Sequence, residues 1–127
     1  MLEQVTVLQN DEVIRLDQDR LGALYDRLGP SGAEDVVCRA MEELAARLSQ
    51  IDRDYRAAQW AELRKGARAL AAIADQMGMA TLARVGRDVT TCVDAGDRVA
   101  LAAVLSRLFR SGERSLTAVW DMQGLTV

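Results

Sequence analysis

At 127 residues the chain has the length of one domain, enough to bury a core without disulfides or a metal. Hydrophobic residues make up 50% and charged residues 28%, the balance of a globular protein, and the net charge of -3 gives no general attraction to nucleic acid or anionic membranes. Histidine is absent, which excludes imidazole general bases, His metal ligands and a phospho-accepting His together.

Cys38 and Cys92 lie far apart without a C-x-x-C spacing, each inside an apolar helical pattern, and read as buried reduced thiols. They are too few for a zinc site, so neither metal nor cofactor is expected. The first residues are acidic and carry no long apolar run, and no stretch reaches the roughly 18 to 20 apolar residues of a spanning helix. The expectation is a cytoplasmic protein that binds no membrane.

In chain order, residues 4–8 (Gln-Val-Thr-Val-Leu) and 13–16 (Val-Ile-Arg-Leu) flank a polar turn and can form a small hairpin. A lone hairpin is marginal in water, so it needs the helices or a second chain to pack on. From Asp17, the stripe Leu21, Leu24, Tyr25, Leu28 predicts a short helix that ends at Gly29-Pro30. Ser31 and Glu34 have capping-box spacing ahead of a seam of Val37, Met41, Leu44, Leu48, Ile51 and Tyr55. After a boundary near Gln59 comes a second seam, Trp60, Leu63, Ala67, Leu70, Ala74 and Met77, closed by Gly78. The third is Leu82, Val85, Val89 and Cys92, closed by Gly96. Asp97 then stands in N-cap position before Leu101, Val104, Leu105, Leu108, Gly112, Leu116 and Val119. Gly66 and Gly86 interrupt helix interiors and read as sites of close helix packing.

Short links between narrow seams predict an all-α, antiparallel four-helix bundle over residues 31–127. Residues 1–30 form an N-terminal extension with the short helix and the hairpin, within one compact domain.

The second seam carries a resemblance. Gln59-Trp-Ala-Glu-Leu-Arg-Lys-Gly-Ala-Arg68-Ala-Leu-Ala71-Ala72-Ile-Ala-Asp-Gln-Met-Gly78 resembles the stretch Asp-Trp-x-x-Leu-x-x-x-Ala-His-x-Leu-Lys-Gly-x-Ala-x-x-Leu-Gly of histidine-containing phosphotransfer (Hpt) domains. Trp60, Leu63, Ala67, Leu70, Ala74, Met77 and Gly78 fall on matching positions. Arg68 stands where that family has its phospho-accepting His, and Ala71-Ala72 replace Lys-Gly. Aligning the real Lys65-Gly66 pair instead would put Glu62 in the His place, but leaves Gly78 too far from the motif. At 100° per residue Arg64, Lys65, Arg68, Ala72 and Asp75 share the strip away from the seam.

The resemblance covers about residues 31–120 and implies an Hpt-like bundle without its nucleophile. An arginine stays protonated and cannot carry a phosphoryl group, so no catalysis is expected. It implies a binding module in two-component signalling that meets a response-regulator receiver domain or a sensor histidine kinase. The partner-binding residues would be Arg64, Lys65, Arg68, Ala71, Ala72 and Asp75. Two other readings stand beside it. One is a small Arg-dependent enzyme of the chorismate-mutase kind, using bundle-facing Arg39, Arg47, Arg84 and Arg107. The other is a homodimer formed through the N-terminal hairpin. Residues 1–60 carry net -5 and residues 61–127 net +2, a dipole too weak for nucleic acid and without an aromatic platform to support it.

Overall fold

In the computed structural model residues 4–9 and 12–123 are described, with side chains over 19–121. The strands β1 (Gln4–Gln9) and β2 (Glu12–Asp17) pair antiparallel, followed by α1 (Gln18–Arg56), α2 (Trp60–Gln76), α3 (Ala80–Ala95) and α4 (Arg98–Gln123). The expected hairpin is there, with β1 one residue longer at its inner end and β2 one residue longer at both ends than the apolar runs suggested. Asn10 and Asp11, which the sequence places in its turn, lie outside the described residues. β2 is seated on α3 and α4.

α1 is two helices in one path. Gly29 takes non-helical angles (φ 75, ψ 168), as its place before Pro30 predicts, and the helix resumes at Pro30. Proline suits a first helical position because its missing N–H would have no helical acceptor there. Ser31 therefore sits inside the first turn, and the cap position it was expected to hold falls to Gly29. Leu21 and Leu24 enter the same core as the bundle. Leu28, the last of that stripe, is exposed instead, because the chain leaves the helical path one residue later.

The three connections within the bundle repeat one design. In each, one residue in the left-handed region lies just past the helix, and the next residue stands immediately before the following helix. Gln59 N–H donates to the Asp54 carbonyl and Ala58 N–H to Tyr55; Met79 N–H donates to Ala74 and Gly78 N–H to Asp75; Asp97 N–H donates to Cys92 and Gly96 N–H to Val93. These paired bonds satisfy carbonyls that a helix end would otherwise leave open. Links this short force each helix to run antiparallel to the one before, so the four-helix bundle follows directly.

The core is mainly apolar: Val37, Met41, Leu44 and Ile51 of α1 meet Leu63, Ala67, Leu70 and Ala74 of α2, Leu82, Val85 and Val89 of α3, and Leu101, Leu105, Leu108 and Val119 of α4, with Thr81, Ser111 and Ser115 also buried. These are the expected seams, with Leu48, Tyr55, Trp60, Cys92, Val104 and Leu116 packed at their edges. Met79, Ala83 and Ala118 join the core without having stood on a seam. Gly66 and Gly86 do mark close approaches. A Cβ at Gly86 would lie 3.2 Å from the Ala71 Cβ and 3.3 Å from the Ala67 carbonyl oxygen, and one at Gly66 would lie 3.2 Å from Ile51. Both cysteines are free and half-buried rather than fully enclosed.

Candidate partner-binding face on helix α2

Burial of Leu63, Ala67, Leu70 and Ala74 fixes the rotation of α2 and turns Arg68 and Ala72 to solvent. Arg64, Arg68, Ala72 and Asp75 then follow one another along a strip about 16 Å long. α3 supplies a partner at each end. The Arg64 Nε donates to Asp94 Oδ1 at 2.7 Å and its second nitrogen to Oδ2 at 3.1 Å, a two-pronged bridge. Toward the other end, Arg87 donates to Asp75 at 2.9 Å.

Between these bridges stand Arg68 and Ala72. Arg68 is exposed and makes no ion pair among the described residues. Its charge is nevertheless felt: hydrogen bonding from Arg64 holds the Asp94 carboxyl below its ordinary range, with the charges of Arg64 and Arg68 adding to the effect against partial desolvation. The same hydrogen bond raises Arg64 further above its already high value. Two neutralised pairs thus frame one guanidinium whose fork of donors is uncommitted.

Two of the six expected residues belong elsewhere. Ala71 is buried, only 4% exposed, and lies against Gly86 of α3, so it offers a partner almost no surface. Lys65 is exposed but lies toward α1, with its ammonium 3.7 Å from Glu62. There it borders a shallow cleft of about 300 Å³ with Arg47, Gln50, Asp54 and Gly66.

Asp94 and Arg87 were not singled out by the sequence. For Asp94 the signal was the tight turn at Gly78, which brings residues nearly equidistant from it face to face: Arg64 is 14 positions before it and Asp94 is 16 after; Asp75 and Arg87, 3 before and 9 after, carry no such signal. Only with the antiparallel pairing in hand does that arithmetic mean contact.

The arginines considered for an interior ligand site do not line a cavity in the core. Arg39 and Arg84 are exposed, Arg107 is half-buried, and Arg47 pairs with Glu43 on the surface at 3.0 Å. Among the described residues no group of Cys, Asp and Glu is placed to hold a metal ion, and no helix is long and apolar enough to cross a membrane. Comparison with known protein families, characterised proteins and solved structures finds no match to this chain.

Proposed function

We propose that this protein is a non-catalytic docking module of the Hpt kind, which uses the α2–α3 face to occupy a carboxylate-rich site on a signalling partner. The observation that carries the reading is Arg68: exposed, without an ion pair among the described residues, and framed by the Arg64–Asp94 and Asp75–Arg87 bridges. The resemblance of residues 59–78 to the Hpt motif supplies the partner class, a receiver domain or a sensor kinase. Receiver domains cluster acidic side chains around their phosphorylation site. A guanidinium presents two parallel N–H donors to a carboxylate, a geometry a lysine ammonium cannot reproduce. Ala72, one turn on, is small enough to let the partner's backbone come near.

Without histidine the chain has no imidazole to accept a phosphoryl group, so occupancy of the partner, and not transfer, would be the output. Competition with a phosphorylating protein for the same acidic site is the natural consequence.

Calorimetric titration against the receiver domains and kinase dimerisation domains of the encoding organism tests this. Saturable binding to one of them is expected, with Arg68→Glu abolishing it and Arg68→Lys weakening it by about tenfold or more. Affinity should fall as salt rises, because the contact is made by exposed charge. Binding that Arg68→Glu leaves intact would remove this face from the function.

A further inference from the structure

Independently of the α2 face, we propose that β1 pairs antiparallel with β1 of a second copy, about a two-fold axis at Thr6, so that two hairpins fuse into a four-stranded sheet. The sheet among the described residues has two strands in the order β1-β2, and β2 is the one seated on α3 and α4. β1 is therefore the outer strand, and its far edge carries a row of backbone N–H and C=O groups that β2 does not reach. Edges of this kind are ordinarily blunted by charge, proline or a bulge. β1 reads Gln-Val-Thr-Val-Leu-Gln, with no charge and no proline, and its pairing with β2 runs without a bulge from Gln4↔Asp17 to Gln9↔Glu12.

The register makes a second copy a better occupant than an arbitrary strand. Val5 lies opposite Leu16 and Val7 opposite Ile14, so these four share one face of the ladder. A two-fold axis perpendicular to a sheet keeps each face on its own side and pairs residues of like parity. Placed at Thr6, it sets Val5 opposite the second copy's Val7 and Val7 opposite its Val5. Two unbroken apolar rows then cross all four strands, each running Leu16, Val5, Val7, Ile14 through both copies. Thr6 meets its own copy on the opposite face, a favourable cross-strand pair. An axis at Val7 would instead keep one such row (Ile14, Val7, Val7, Ile14) and set Val5 and Leu16 of each copy in line with Gln9 and Glu12 of the other. The fused sheet also answers the weakness of a two-stranded hairpin, since three or more strands with an apolar face hold together where two do not.

The experiment is the solution mass of the full chain by light scattering at micromolar concentration, with two sets of variants. Wild type is expected at about twice 13.9 kDa and Thr6→Lys at the single-chain mass with unchanged helical circular dichroism, because like charges opposed at the axis repel. In a Cys38→Ser, Cys92→Ser background, Thr6→Cys is expected to form a disulfide-linked dimer on mild oxidation, since the two Cα atoms at the axis are about 4.5–5.5 Å apart. Arg15→Cys, on β2, should not, because three strand spacings separate the two copies by about 14 Å. A wild-type chain that stays monomeric, a dimer that survives Thr6→Lys, or cross-linking as ready from Arg15→Cys would each overturn the proposal.

Discussion

Ala58 holds a left-handed backbone (φ 55) at the one turn where its counterparts are Gly78 (φ 74) and Gly96 (φ 67). The methyl group crowds the following carbonyl there, whereas glycine takes the conformation freely. Ala58→Gly is expected to raise stability by about 0.5–1 kcal/mol in a thermal melt, after allowing for glycine's greater freedom in the unfolded chain. Gly86 has the opposite sensitivity. Its neighbours are a methyl group and a backbone oxygen, and the oxygen cannot swing aside. Gly86→Leu should wedge α2 from α3 and cost about 1–3 kcal/mol by chemical denaturation. At Asp94 the effect is one of pH. A carboxyl held below its ordinary range stabilises the fold above that range, and the contribution is lost as pH falls through the lowered value. Asp94→Asn should therefore lose less stability than wild type between about pH 5 and pH 2. The difference will be small, since the pair is exposed. Burial, then Asp97 and Asp88, push the Cys92 thiol up and disfavour its thiolate.

At the scale of elements, the turns do more than reverse the chain. Asp97 ends one helix motif and begins the next helix, where its Oδ1 accepts from the Ala100 N–H at 3.0 Å. Asp97→Ala should cost about 1 kcal/mol, read as a lower midpoint in urea. Arg98, the first residue of α4, lies 3.8 Å from the centre of the Trp60 ring, which in turn meets Tyr55 edge-on at 6.0 Å. This stack ties the α1–α2 turn to the α3–α4 turn at one end of the bundle. Gly29 divides α1 so that the helix bearing Leu21 and Leu24 can fold onto a core that a straight α1 would leave behind.

For the whole molecule, the proposed docking face and the core are separate. Arg68 touches nothing in the core and makes no ion pair among the described residues. Arg68→Glu should thus leave the melting temperature within about a degree of wild type while removing partner binding, since surface changes away from such contacts are usually worth less than about 0.5 kcal/mol. A fall in both would mean that the residue supports the fold and that the binding result reports unfolding.

The seams, their spacing of three and four, and glycine at two of the three bundle turns determined the helices, the antiparallel order and the outward rotation of Arg68 and Ala72. These are local properties, because helix period and turn chemistry act over a few residues. The boundary at Ala58 was harder to see, since alanine favours helix and gave no sign of a left-handed cap. Ala71 joined the expected binding residues because the pair Ala71-Ala72 stands where the resembling motif has Lys-Gly; the approach of Gly86 from another helix is what buries it. The bridges from Asp94 and Arg87, the turn of Lys65 toward α1, and the seating of β2 on α3 and α4 belong to the tertiary structure alone. Each depends on which surfaces meet across elements distant in the chain, and no local pattern of residues encodes that distance.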